Sequence, residues 1–229
     1  MKKVLFSVAA AAIVSGANAQ SAFDGFYGQL GVGYSSANPS LTDSYITNPS
    51  GTRYNYSTSV NTSNSFVGAI TAGYNFSVSP TFLLGIGVDY LPFNSSSGDY
   101  TQTNSSLSPS TSNGTWKTKG SYNVFLTPGF LIDKEKLFYG KIGYTGTTVE
   151  STPNGGSSGS VNLSGYSLGL GYKQIVSKNW YAFGEGVYSS YGSKNQTGTG
   201  PWASGGTYNY NATVGVNTMN FIVGVGYQF

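Results

Sequence analysis

The chain has 229 residues, and only 8% of them are charged, against roughly 25% in soluble proteins. Aromatics make up 15%, with 19 tyrosines, and glycine contributes 33 residues. This composition excludes an ordinary soluble enzyme surface. It also excludes a helical membrane protein, because beyond the first segment no apolar run approaches the roughly 18 residues a spanning helix needs. Cysteine and histidine are both absent. That removes disulfides, thiolate metal sites, a lipid-bearing cysteine and every histidine-based catalytic arrangement.

The chain opens on a processing signal. Lys2 and Lys3 form a basic start, Val4 to Val14 is an apolar stretch too short to span, and Ala17-Asn18-Ala19 fits the small-x-small cleavage rule. Cleavage between Ala19 and Gln20 divides the chain into a signal peptide, 1–19, and a single mature domain, 20–229. Without Lys2 and Lys3, the 11 basic residues fall nearly into balance with the 8 acidic ones. No basic footprint for nucleic acid remains.

From there, period-two alternation dominates. Phe26, Gly28, Leu30, Val32 and Tyr34 share one face. Phe66, Gly68, Ile70, Ala72, Tyr74 and Phe76 share the next, and Phe82, Leu84, Ile86, Val88 and Tyr90 the third. Tyr122, Val124, Leu126, Phe130 and Ile132 follow, then Phe138, Gly140, Ile142 and Tyr144. Tyr166, Leu168, Leu170 and Tyr172 precede Trp180, Ala182, Gly184, Gly186 and Tyr188. The last set is Phe221, Val223, Val225, Tyr227 and Phe229. Eight strands of about ten residues result. Short turns (77–80, 133–136 and 174–179) alternate with long Ser/Thr/Asn/Gly-rich loops at 35–64, 92–120, 147–162 and 191–213. Even strand number with short turns at one end and long loops at the other predicts an all-β, eight-stranded, antiparallel, up-and-down transmembrane barrel. Pro128 falls mid-strand, where it removes a ladder donor, and predicts a bulge or a shifted register.

The charges decide which face meets lipid. Asp89, Lys141, Lys173 and Glu185 are the four charged side chains within strands, and all lie opposite the apolar face, with Gln29, Asn123, Asn220 and Gln228. A polar interior and an uninterrupted apolar exterior suit a bilayer and invert the pattern of a soluble barrel. Outward aromatics gather at both strand ends, at the depths where amphipathic rings settle. Lys141 and Glu185 lie at similar heights with one strand between them, so their side chains are expected to meet across the lumen. Repeated Gly-x-Gly pairs open no helix and read as thinning of the lumen wall rather than as a phosphate loop.

The Ala17-Asn18-Ala19 signal, the Gly-x-Gly-Tyr strands and the terminal Tyr227-Gln228-Phe229 resemble the small eight-stranded outer-membrane barrels of Gram-negative bacteria, the OmpA-like, OmpX-like and opacity-antigen or porin-family group. The resemblance implies location in the cell outer membrane, contact with lipid and lipopolysaccharide, and a last strand read by the outer-membrane assembly machinery through Phe221, Val223, Val225, Tyr227 and Phe229. No periplasmic peptidoglycan-binding domain follows the barrel, so cell-wall tethering is not carried over.

Three functions compete. The first is a non-enzymatic, monomeric surface protein whose loops serve adhesion, shielding or envelope integrity. It offers aromatic contacts from Tyr45, Tyr54, Tyr56, Trp116 and Trp202, read as exposed loop residues, without a preformed pocket. The second is a narrow passive channel. Eight strands leave an interior just wide enough for side chains, and re-pairing of the lumen charges is its natural gate. The third, an enzyme, is disfavoured by the missing histidine. The sequence implies no catalytic, cofactor-binding or metal-binding residues and no cofactor.

Overall fold

The computed structural model describes residues 21–93, 97–107 and 111–229. The signal-peptide reading, with its cleavage residues Ala17, Ala19 and Gln20, lies outside them. Eleven strands follow in order: β1 (Gly25–Thr47), β2 (Arg53–Asn55), β3 (Ser57–Val60), β4 (Ser63–Ser79), β5 (Phe82–Leu91), β6 (Gly98–Thr103), β7 (Thr111–Asp133), β8 (Lys136–Pro153), β9 (Gly159–Ser177), β10 (Trp180–Pro201) and β11 (Thr207–Gln228). Eight of them close a ring in the order β1, β4, β5, β7, β8, β9, β10, β11, every pair antiparallel. Closure runs first strand to last, from Tyr27 opposite Gln228 up to Thr47 opposite Asn209. No edge is left facing lipid, as a bilayer requires. The three short strands, β2, β3 and β6, lie at the long-loop end, where β2 pairs β1 and β6 joins β3 to β7.

The alternation sorts the side chains as their chemistry demands. Leu30, Val32, Ile70, Val88, Ile142, Leu170, Val223 and Val225 all point outward and are exposed on the isolated chain. Their same-strand neighbours Gln29, Thr71, Asp89, Lys141 and Ile222 point inward and are buried. Tyr34, Phe66, Tyr90, Tyr122, Tyr144 and Tyr188 ring one end of this band, while Phe130, Phe138, Trp180 and Phe229 belong to the other.

Of the eight ring strands, β5 keeps to 10 residues, and the other seven are far longer, from 17 residues in β4 upward. β1 and β7 each run for 23 residues, where roughly 9–11 suffice to cross a bilayer. Much of what composition marks as long loop is therefore strand that continues the barrel wall past the aromatic ring. The reason is an inversion of chemistry along the long strands. In β11, Asn220 and Ile222 face inward beside outward Phe221 and Val223. Higher up, Val214 and Val216 face inward while Thr213 and Asn217 lie on the outer side. In β8 and β9, Val149 and Leu163 are buried inside, opposite outward Glu150 and Asn162. Above the membrane the outside meets water, so the polar set moves outward and the apolar set packs within.

Bulges re-aim the chain as it enters this upper part. Register shifts fall between Thr42 and Tyr45 in β1, between Lys119 and Tyr122 in β7 and between Tyr191 and Lys194 in β10. Asp43, at φ 48°, and Gly120, at φ 62°, occupy left-handed backbone at two of them. Pro128 produces neither a bulge nor a slip. It pairs in register with Leu84, and the β7–β8 register is the same at Leu126–Ile142 and Gly129–Tyr139 on either side of it. The missing N–H interrupts bonding locally and the ladder resumes unchanged.

Candidate functional site

The lumen holds a charge cluster at mid-height. The Lys141 ammonium on β8 lies 2.6 Å from Asp89 Oδ2 on β5 and 2.9 Å from Glu185 Oε1 on β10. Thr71 on β4 donates to Asp89 Oδ1 at 2.7 Å, and the Tyr139 hydroxyl donates to Glu185 Oε2 at 2.9 Å. The Lys141 side chain is only 2% exposed and its ammonium sits 4.2 Å from the centre of the Phe125 ring. A cation taken out of water needs such partners, because its desolvation is otherwise uncompensated.

Lys173, the fourth strand charge, does not join this cluster. It is buried, and among the described residues it makes no ion pair. Its ammonium lies over aromatic faces, 3.9 Å from the ring centre of Tyr27, 5.1 Å from Tyr181 and 5.3 Å from Tyr139. Ring quadrupoles supply the negative potential that a carboxylate would otherwise give. Glycine makes room for each ring. A Cβ at Gly73, Gly171 or Gly226 would collide with Tyr27, Tyr139 or Tyr181 respectively. That is the physical content of these recurring glycines. Among the described residues, the two lysines and two carboxylates within the lumen balance in formal charge.

Below the cage the barrel is stoppered. Phe23, fully buried, turns in ahead of β1 and meets the Tyr181 ring edge-on at 6.0 Å. Asn75 Nδ2 donates to the Phe23 carbonyl at 2.9 Å and Gln228 Nε2 to the Asp24 carbonyl at 2.9 Å. Alternation alone does not reveal Phe23, because it precedes the first strand. Its signal is an isolated aromatic just outside the periodic stretch.

Above the charge cluster lies a void of only about 20 Å³, bounded by Asn123, Thr145, Tyr191 and Asn220 among others. Higher still, the extended walls enclose a cavity of about 760 Å³. Its floor and sides include Ile46, Tyr100, Trp116, Val149 and Val214, with Gln102, Gln196, Tyr56, Tyr208 and Tyr210 around them. The expectation of polar loops without a preformed pocket is therefore corrected. Trp116 is corrected with it. It is 4% exposed, with its indole Nε1 donating to the Asn61 carbonyl at 3.2 Å, because the bulge after Lys119 turns it inward. Tyr45 and Tyr54 stay at the rim and outer wall. Tyr45 carries the Arg53 guanidinium at 3.6 Å, and Tyr54 stacks on Trp202 with centroids 5.8 Å apart. Outside this wall Glu150 pairs with Lys117 at 3.1 Å and with Lys119.

A family model described as an outer membrane protein beta-barrel domain matches residues 5–229. The chain belongs to that family. Its place is the outer membrane of a Gram-negative bacterium. The crystal structure of the outer membrane protein OprG from Pseudomonas aeruginosa is similar with a TM-score of 0.58 at 14% identity, over 90% of this chain and 96% of that one. The outer membrane protease OmpT from Escherichia coli gives a TM-score of 0.52 at 10% identity, over 93% of this chain and 99% of that one. Such identities establish a common fold alone. No curated protein sequence matches the chain. The last strand, β11, carries Phe221, Val223, Val225 and Tyr227 just ahead of Phe229. Phe221, Val223, Val225 and Phe229 are exposed on the outer face. Phe229 is held by its own N–H, which donates to the Phe26 carbonyl at 2.8 Å.

Proposed function

We propose that this outer-membrane barrel is a non-enzymatic surface protein that turns its long-loop end to the outside and meets external molecules there. The observation that carries the reading is the blind form of the barrel. An uncharged cavity opens among the long connections, and beneath it the lumen is filled by the Lys141 cluster, the Lys173 cage and Phe23. A binding end with nothing passable behind it suits recognition rather than flow. The filled lumen argues against the passive channel, whose test is single-channel recording, with no conductance steps expected. The chain lacks the histidine on which hydrolytic barrel chemistry commonly depends, and among the described residues no three acidic, histidine or cysteine side chains cluster for a metal.

The same reading makes lipid and lipopolysaccharide the neighbours of the outer face, the terminal Phe221–Phe229 face the label read during assembly, and the working form a monomer of residues 20–229. The orientation is tested on intact cells. A thiol introduced by Ser157→Cys beside the cavity should react with a membrane-impermeant maleimide, and a thiol introduced by Lys134→Cys in the opposite short turn should not. Labelling only at the short turn would sink the reading.

A further inference from the structure

We propose that the upper cavity is a binding site for a short neutral oligosaccharide. The inference rests on the surface reading above and gives it a ligand class. The cavity, about 760 Å³, falls in the roughly 300–1,000 Å³ range of small-ligand sites. None of the residues that line it is charged. An anionic ligand would meet no lysine or arginine there, and a cationic one no carboxylate, so either would lose hydration without repayment. A purely apolar ligand fits poorly too, because four phenols and two carboxamides open into the space.

The phenols are the distinguishing feature. Tyr56, Tyr100, Tyr208 and Tyr210 come from β6, β11 and the β2–β3 link, and all line the one cavity. Gln102 Nε2 donates to the Tyr210 hydroxyl at 3.3 Å and to Ser44 Oγ at 2.6 Å, which fixes two of the polar groups. Burial and the neighbouring Tyr208 and Tyr210 phenols push the Tyr56 hydroxyl above the ordinary tyrosine pKa, and burial and Tyr210 do the same at Tyr100. The Tyr56 and Tyr100 hydroxyls therefore stay protonated, and a phenol can both donate and accept. A pyranose offers the complement, a ring face of C–H groups for the aromatic planes and an edge of neutral hydroxyls for phenol, carboxamide and serine.

The test uses the full mature chain in phospholipid nanodiscs, with calorimetric titration of maltotriose, cellotriose and triacetylchitotriose, and trigalacturonate as the anionic counterpart. At least one neutral trisaccharide is expected to bind saturably, one per barrel, and trigalacturonate at least about tenfold more weakly. Tyr208→Phe keeps the ring and should weaken binding roughly two- to tenfold, the worth of one hydrogen bond. Ser151→Trp fills the cavity from the β8 wall. It should abolish binding while leaving heat-modifiable gel mobility, the mark of a folded barrel, as in the parent. The proposal is overturned if no neutral trisaccharide binds the folded protein, if Ser151→Trp binds as well as the parent, or if trigalacturonate binds equally. Surface labelling of the Ser157→Cys protein separates the two levels. A labelled barrel that binds no saccharide refutes the ligand class alone, whereas an unlabelled one refutes the orientation beneath it.

Discussion

Lys141 and Asp89 meet at 2.6 Å across the lumen, from strands separated by β7 around the ring. With Glu185 on the far side, one ammonium ties three strands together through the barrel centre. Removing it leaves two carboxylates facing each other out of water. Lys141→Met is expected to destabilise the barrel by roughly 3–5 kcal/mol, read by urea unfolding in phospholipid vesicles. Adding Asp89→Asn and Glu185→Gln to that variant should restore most of the loss. If the triple variant is no more stable than the single one, the cluster is not acting through its charge balance.

Ile142 and Gln29 test the two faces of the wall. Ile142 is 57% exposed on the outer surface and Gln29 is 6% exposed within the lumen. Ile142→Arg places a charge in lipid near mid-depth and should cost roughly 2–4 kcal/mol, whereas Gln29→Arg, whose guanidinium enters a polar lumen, should cost less. Equal losses would contradict the assignment of faces.

The stopper offers a third measurement. Phe23 fills the lower lumen against Tyr181. Phe23→Ala should lower stability by roughly 3–5 kcal/mol, as large core truncations do. A loss below about 1 kcal/mol would mean that the end closes without it.

Phe229 separates making the barrel from keeping it. Its ring is 76% exposed and its main-chain bond to Phe26 does not need the side chain. Phe229→Ala should sharply reduce the amount of barrel reaching the outer membrane, yet leave the unfolding midpoint of the refolded protein nearly unchanged. Normal membrane yield would remove the assembly role.

Acid should loosen the upper wall at one identifiable place. Hydrogen bonds from Lys119 and Lys117 hold the Glu150 carboxyl below its ordinary value of 4.5. Its folded pKa therefore lies under the unfolded one. The stabilisation is complete above about 4.5 and disappears as pH falls through the lower, folded value. Glu150→Gln should remove that pH dependence from the fluorescence of Trp116, which pairs with the neighbouring Ser151. An unaltered acid transition would place its cause elsewhere.

The membrane part was legible in the sequence because lipid enforces a contrast of two. Ile142 beside Lys141 and Phe221 beside Asn220 set the direction of each face. The upper part was not, for two physical reasons. Its outer face is polar and its inner face mixes valine, tyrosine and serine, so the contrast weakens and its sign reverses. The bulges then shift the period by one residue, which is why Trp116 reads as surface and sits inside. Of the four lumen charges, the height of Lys141 and Glu185 could be counted along their strands. The separation of Lys173 could not, because its partners are ring faces contributed by Tyr27, Tyr139 and Tyr181 rather than opposite charges.

The reversal of polarity along the strands gives the barrel a waterline. Sinking by one residue pair, roughly 7 Å, would drag Glu150 and its lysines toward hydrocarbon. Rising by as much would lift the Tyr34–Phe66–Tyr144 ring out of its interface. Both displacements are opposed by the same continuous wall. The mouth of the cavity is thus carried at a set height above the headgroups, like a cup fixed to a float, with no hinge between them.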